Sequence, residues 1–314
     1  MRALRPYLAA ACGAVIATGA ALAQDYPSEP IEIVVPAAAG GGTDVLVRTL
    51  EPHLEEALGT SVVVINVPGS GSVGGSRRVV EAEPDGYTAL ANHVTLLSAM
   101  ALGKADFTID DYDIAALSVE IPLVVVVPAS SDVETLDQLM DKVRGDEPVI
   151  AGVNLGAVNH FSMLMLQARA DDVAFRFVQT GGGAATTAAL LGEHIDVGVL
   201  AGSEALPVVE SGDVRVIAAL GGDRIPYFPD VPTATEQGYP TNMGVEYMWL
   251  MPDGTPADRV EAFGAAIRAA IENEEVAATL TERGMIPSFA TGEQAGPEVA
   301  ELYRTIEGIA ATLE

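Results

Sequence analysis

Short apolar runs alternate with amphipathic helical patterns in the first part of the chain. The apolar runs lie at 31–35, 61–66 and 87–93, and helical spacing of apolar residues occupies about 43–58 and 76–82. Apolar runs of this length suit buried strands, and the order strand, helix, strand, helix, strand is typical of parallel strands covered by helices. The pattern predicts an α/β fold.

A second alternation of the same kind follows, without any repeat of the first sequence. Its apolar runs lie at 148–154, 174–179 and 195–201, and helical patterns separate them. Between the two sets, residues 113–128 form a β-rich run that is too long for one ordinary strand. We interpret this run as a crossing between two lobes, and 214–220 as a candidate for the return crossing.

Two α/β lobes joined by two crossings predict a hinge-closing architecture. Its ligand cleft is expected at the carboxyl ends of the strands of both lobes. We predict a discontinuous first lobe made of 24–120 and 221–314, and a second lobe made of 121–220.

The first 23 residues have the pattern of a secretory signal peptide. Arg2 and Arg5 precede an apolar run at 7–20, and small residues at 21 and 23 suit cleavage before Gln24. The run is shorter than the roughly 20 apolar residues that span a bilayer. We therefore expect a soluble exported product, although a lipoprotein modified at Cys12 is a weaker alternative.

The charge balance of the chain makes some partners improbable. There are 16 basic and 44 acidic residues, and removal of a leader with two Arg and no acid leaves a net charge of −30. Such an acidic surface does not attract nucleic acid. The lone cysteine lies in the leader, and the four histidines are scattered, so we expect no metal and no catalytic centre.

A glycine-rich turn, "AAAGGGTD" at 37–44, lies between the first apolar run and the first helical pattern. A helix start leaves N–H groups without partners and carries partial positive charge, and glycine lets a ligand approach the backbone closely. The turn therefore predicts a cradle for a carboxylate or phosphate. Its alternative role is a simple helix start, capped by Thr43 or Asp44.

Three further turns occupy related positions. "NLGAVNH" at 154–160 and "QTGGGA" at 179–184 follow strands of the second set, so we expect them to face the first cradle across the cleft. "GSGSVG" at 69–74 fits G-x-G-x-x-G, which suggests a dinucleotide-binding oxidoreductase. The acidic residue expected about 20 positions later is missing, because Asn92 and His93 lie there.

Seven segments together resemble one protein family. They are, in chain order, "PIEIVVPAAAGGGTDVLVR", "VINVPGSGSVGG", "EPDGYTAL", "GAVNHFS", "GGGAATTAALLGEHIDVGV", "DVPTATEQGY" and "PDGTPADRVEAF". In this order and spacing, and over about 26–314, the chain is similar to the extracytoplasmic solute receptors of tripartite tricarboxylate transporters, the TctC or Bug family.

The resemblance implies a periplasmic-binding-protein fold of type II-like form, and a periplasmic receptor that delivers organic acids to a membrane permease. It implies no enzymatic activity and no cofactor, and we expect a monomer. A ligand-sensing subunit for a membrane signalling partner remains an alternative. Backbone N–H and hydroxyl groups are expected to bind the carboxylate groups of a mono-, di- or tricarboxylate. The candidate ligand-binding residues are Ala39, Gly40, Gly41, Gly42, Thr43, Asp44, Asn92, Asn154, Gly156, Asn159, His160, Thr180, Gly181, Gly182 and Gly183.

Overall fold

A computed structural model describes residues 26–241 and 243–312, so the predicted signal peptide lies outside the described residues. The strands in this part of the chain are β1 (Ile31–Val35), β2 (Val62–Asn66), β3 (Thr88–His93), β4 (Tyr112–Pro128), β5 (Ile150–Val153), β6 (Arg176–Gln179), β7 (Val197–Ala201), β8 (Val214–Ala219), β9 (Gly244–Pro252) and β10 (Ile286–Thr291). The α-helices are α1 (Gly42–Leu58), α2 (Val73–Val80), α3 (Thr95–Ala101), α4 (Leu136–Val143), α5 (Val158–Ala168), α6 (Gly183–Leu191), α7 (Gly202–Glu210), α8 (Ala257–Ile271), α9 (Glu274–Glu282) and α10 (Gly292–Ala310).

The long strand β4 joins two sheets. Its first part pairs with β9 and β10, beside the parallel strands β3, β1 and β2. Its second part pairs with β7 and β8, and β7 leads to the parallel strands β5 and β6. The order β2-β1-β3-β9-β4-β7-β5-β6 is therefore a two-lobed α/β architecture, and β4 is the crossing predicted at 113–128.

The return crossing lies later in the chain than the sequence suggests. Strand β8 pairs with the second part of β4 and so belongs to the second lobe. The chain then stays beside that lobe, where the Tyr239 hydroxyl donates a hydrogen bond to Asp137 of α4. Strand β9 begins opposite Pro122, so the chain returns near 243–245 and not within 214–220. The predicted lobe boundaries at 120/121 and 220/221 stay a prediction.

Strand directions place the carboxyl ends of the parallel strands of both lobes toward the crossing. Strands β3 and β4 are both antiparallel to β9, so β1, β2 and β3 point along β4 toward the second lobe. Strand β7 is antiparallel to β4, so β5, β6 and β7 point back toward the first lobe. The loops after these strands therefore face each other, as the α/β pattern predicts.

Helices cover the sheet on both faces. Trp249 and Phe263 lie in one apolar cluster beneath α1, α8 and α9. A second cluster packs α2, α3 and α10 against the first lobe and continues beneath α4 and α5 of the second lobe. A third cluster lies beneath α6 and α7. Within the described residues, no helix has the length and apolar character needed to span a membrane.

Candidate functional site

The turn between β1 and α1 exposes the start of a helix. Gly40 has a φ of +80°, a left-handed conformation that favours glycine. Gly40 N–H donates to Asp44 and Gly41 N–H donates to the Ala38 carbonyl, so both groups are used inside the turn. Gly41 is the N-cap residue and makes no side-chain capping bond. The N–H groups of the first helical turn, beginning at Gly42, consequently have no partner within the helix.

The buried side chain of Asp44 stabilises this turn by hydrogen bonds. Asp44 is only 2% exposed, and its carboxylate accepts hydrogen bonds from Gly40 N–H at 2.7 Å, Asn66 Nδ2 at 2.9 Å and Arg48 Nε at 2.9 Å. Burial acts to raise the pKa of Asp44, but these hydrogen bonds and the Arg48 charge outweigh it and leave the pKa below its ordinary value. The side chain therefore holds the glycine turn in shape.

Thr43 and Tyr247 form the wall behind the first cradle. The Thr43 side chain hydrogen-bonds to the buried Tyr247 of β9, and His93 at the end of β3 contacts the same ring edge-on with a centroid distance of 5.6 Å. Burial raises the pKa of Tyr247 and lowers the pKa of His93 to about 4. At neutral pH this wall is uncharged, so the helix start supplies the local positive potential.

The β5–α5 turn is held together by its own polar side chains. Asn159 Oδ1 accepts from the N–H groups of Asn154 at 3.2 Å and His160 at 3.0 Å. His160 Nδ1 accepts from Gly156 N–H at 3.1 Å, and the ring lies edge-on to Phe177 at 4.8 Å. Burial lowers the pKa of His160, in keeping with this neutral accepting role. These side chains therefore shape the turn, and their predicted contact with a ligand stays a prediction.

The β6–α6 turn has a similar internal network. The Thr180 hydroxyl lies 3.3 Å from the Val153 carbonyl and 2.8 Å from the Thr186 hydroxyl. Gln179 accepts from Leu155 N–H at 2.8 Å, and donates to Asn154 Oδ1 at 2.9 Å. Helix α6 begins after Gly182 without a side-chain cap. As in the first cradle, backbone N–H groups are left at the helix start.

The two lobes approach each other beside these turns. A Cβ added at Gly156 would lie 3.0 Å from Leu102 Cδ1 and 3.6 Å from Lys104 Nζ, so the β5–α5 turn meets the end of α3. Along β4, Ser118 is level with the end of β3, and Leu123 pairs with Ala201 at the end of β7. Five residue steps of β4 separate these two levels, and a register shift interrupts the strand between Ser118 and Glu120.

Asn92 has a supporting position inside the first lobe. It is 2% exposed, donates to Ser76 Oγ at 3.0 Å and accepts from His93 N–H at 2.8 Å. The arrangement suits recognition of an anion by backbone groups, with polar side chains as supports. Among the described residues, no group of His, Cys, Asp and Glu side chains is placed to hold a metal ion.

The G-x-G-x-x-G turn has a different place in the fold. It follows β2, the edge strand of the first lobe, whereas the change in strand order lies between β1 and β3. Gly69 and Gly71 have left-handed φ angles of +123° and +63°. A Cβ at Gly75 would lie 2.8 Å from Pro36 Cβ, so this glycine lets α2 pack closely against the first cradle. The glycines shape the turn, away from the switch point where dinucleotides bind.

Comparison with known protein families shows which family this chain belongs to. Residues 46–303 match the model of the tripartite tricarboxylate transporter family receptor, TctC. The chain belongs to this family. Membership confirms the resemblance seen in the sequence, and receptors of the TctC family are periplasmic solute-binding proteins.

Several known proteins are similar to nearly the whole chain. BugT of Bordetella pertussis is 29% identical over 294 residues, which are 91% of this chain and 90% of BugT. A TctC solute-binding protein structure from Polaromonas has a TM-score of 0.85 at 25% identity, and the match covers 91% of this chain and 99% of that one. MatC from Rhodopseudomonas palustris, solved with bound malate, has a TM-score of 0.71 at 26% identity, over 91% and 100% of the two chains. The two-lobed α/β fold predicted from the sequence is confirmed.

Proposed function

We propose that this TctC-family receptor captures a small organic carboxylate between its lobes and presents the closed form to the permease of a tripartite tricarboxylate-type transporter. The observation that carries the proposal is the uncapped start of α1 at a glycine turn directed at the second lobe. Asp44 is held inside that turn, so it leaves the helix start open to an anion from outside.

Local potential, and not net charge, governs contact with the ligand. A helix start carries about half a positive charge, and several N–H groups converge on one carboxylate. Charges on the exposed surface are screened beyond about 8 Å at physiological salt. The net charge of −30 expected for the mature chain slows the capture of anions but does not prevent binding.

The proposed contacts are mainly backbone groups. Gly42 and Thr43 of the first lobe bind one end of the ligand, and the starts of α5 and α6 approach its other end. Malate bound to MatC supports an organic acid as the ligand class. The proposal assigns binding and delivery, with no catalysed step, to a periplasmic protein whose leader is cleaved before Gln24.

Calorimetric titration of the mature protein with a panel of mono-, di- and tricarboxylates tests the proposal. Mass spectrometry of ligand released from gently purified protein identifies the natural acid. We expect at least one carboxylate to bind and to raise the melting temperature. Failure of every carboxylate to bind, with the protein folded and free of retained ligand, would contradict the proposal.

Gly42→Ala tests the first cradle. An added Cβ would lie 3.7 Å from the Tyr247 hydroxyl oxygen, an ordinary contact, so the fold accommodates alanine. A methyl group there obstructs the approach of a carboxylate, and loss of a charge-assisted hydrogen bond worth about 1.5–3 kcal/mol weakens binding about 10- to 150-fold. Gly308→Ala in α10, where an added Cβ meets nothing within 4 Å, is the matched control. Equal affinity of both variants would refute the contact.

A further inference from the structure

Glu204 brings a carboxylate onto the second-lobe glycine turn. It lies in the first turn of α7, and a Cβ added at Gly183 would overlap both of its carboxylate oxygens. The carboxylate is therefore packed directly on the first residue of α6, at a position that only glycine leaves free. Its Oε2 accepts a hydrogen bond from Ala201 N–H at 3.3 Å.

The strand directions put this carboxylate at the edge of the cleft. Strands β6 and β7 both run parallel to β5, so α6 and α7 begin at the same edge of the second lobe. That edge faces the first lobe, because β7 ends at Ala201 opposite Leu123, close to the crossing. The Glu204 side chain is exposed, as expected for a group at an open cleft.

The Thr180 and Gln179 side chains of this turn are uncharged and already hydrogen-bonded within the second lobe. Thr180 pairs with Thr186, and Gln179 bonds to the neighbouring β5–α5 turn. Glu204 therefore adds a full negative charge beside a helix start that carries only a fraction of a positive charge. Its carboxylate offsets the anion-binding potential of α6, whereas α1 keeps its own potential because Asp44 is neutralised by Arg48 within its turn.

We propose that Glu204 makes the second lobe select a ligand whose far end donates hydrogen bonds. This inference rests on the proposed function, in which a carboxylate of the ligand lies on α1. A second carboxylate at the α6 end would meet a like charge inside a closed, poorly solvated cleft. An ammonium or hydroxyl group at that end instead finds an acceptor, so the ligand class is an amino- or hydroxy-carboxylate and not a simple dicarboxylate.

A purely structural role for Glu204 makes a different prediction. A glutamate in the first turn accepts a bond from the N-cap residue, as Glu204 does from Ala201 N–H, and this stabilises the helix start. Glutamine keeps that acceptor and nearly the same shape but removes the charge. Glu204→Gln therefore separates selection of the ligand from capping of α7.

Calorimetry with ligands of matched length tests the inference. The probes are succinate, 4-aminobutanoate and 4-hydroxybutanoate, and then adipate with 6-aminohexanoate. We expect the wild type to prefer an amino or hydroxy acid over its diacid by at least tenfold. Glu204→Gln should reduce that ratio at least tenfold, by losing amino-acid affinity and gaining diacid affinity. The affinity of the ammonium-bearing ligands should fall more on this substitution than the affinity of the hydroxyl-bearing ligand.

Glu210→Gln is the matched control, because it removes the same charge from the exposed far end of α7 and should leave the ratio unchanged. The inference is overturned if the wild type binds a diacid as well as its amino and hydroxy partners, or if Glu204→Gln leaves the ratio unaltered; in both cases carboxylate binding and the proposed function stand. If no carboxylate in the panel or in released ligand binds, the proposed function fails and the inference fails with it.

Discussion

Two glutamates lie side by side where the chain crosses between the lobes. Glu246 of β9 is the register partner of Glu120 of β4, and both line a cavity of about 390 Å³ between the lobes. Glu298 of α10 and Arg169, the residue after α5, also line it. Burial, with the negative charges of Glu298 and Glu120, raises the pKa of Glu246 to about 7, and burial also raises the pKa of Glu120.

The pKa shift sets the magnitude of the change in the free energy of unfolding expected for Glu246→Gln. A rise from 4.5 to about 7 corresponds to an upper limit of roughly 3.4 kcal/mol at 1.36 kcal/mol per unit. Glu246 is only partly buried, so solvent screening reduces the expected effect to about 1–2 kcal/mol. The folded state holds the proton more tightly than the unfolded state, so the stability linked to this carboxyl is complete below about pH 4.5 and is lost as the pH rises through 7.

Urea unfolding of the mature protein at pH 5 and pH 8 measures this effect. Glu246→Gln cannot ionise, so we expect it to raise the free energy of unfolding by about 1–2 kcal/mol at pH 8 and by much less at pH 5. Glu56→Gln, at an exposed position of α1, controls for the general loss of one negative charge. The reasoning is refuted if Glu246→Gln has the same effect at both pH values, or if it matches Glu56→Gln at pH 8.

Three further predictions concern the turns and the leader. Asp44→Asn removes the charge that Arg48 pairs with and should lower the free energy of unfolding by about 1.5–3 kcal/mol above pH 4, with a smaller effect in acid; unchanged urea curves would contradict this. Thr180→Val removes the hydrogen bond to Thr186 and should lower the free energy of unfolding by about 1 kcal/mol, with little change in ligand affinity. A tenfold loss of affinity at unchanged stability would instead favour the contact between the Thr180 hydroxyl and the ligand that the sequence suggests. The exported protein should begin at Gln24 by intact-mass analysis, and a lipid-modified Cys12 would exclude this cleavage.

Local patterns in the sequence are sufficient to predict the class of elements and the family. Apolar runs and helical periodicity depend on neighbouring residues only, so they predict the two α/β sets and the long crossing at β4 without any knowledge of distant contacts. The glycines after the first strand indicate a turn with a left-handed residue, and Gly40 has that conformation. Segment order is enough to predict the TctC family, which the match over 46–303 confirms.

The use of the polar side chains in the turns depends on contacts between distant segments. Asp44 bonds to Asn66, and Thr180 to the Val153 carbonyl, across 22 and 27 residues of chain. Parallel strand pairing creates these partners, and no local pattern indicates them. The sequence predicts ligand contacts for such side chains because a local pattern does not show whether a polar side chain beside a turn bonds within the turn or faces the cleft.

The same reason explains the return crossing and the contacts made by Glu246 and Glu204. Strands β8 and β9 are both apolar runs, so only their pairing with β4 shows that β9 makes the return. Glu246 meets Glu120 through register, and Glu204 meets Gly183 because parallel strands bring two helix starts to one edge. Composition and periodicity indicate the local structure of each segment. Contacts between distant residues depend on strand order and register, which arise only when the whole sheet assembles.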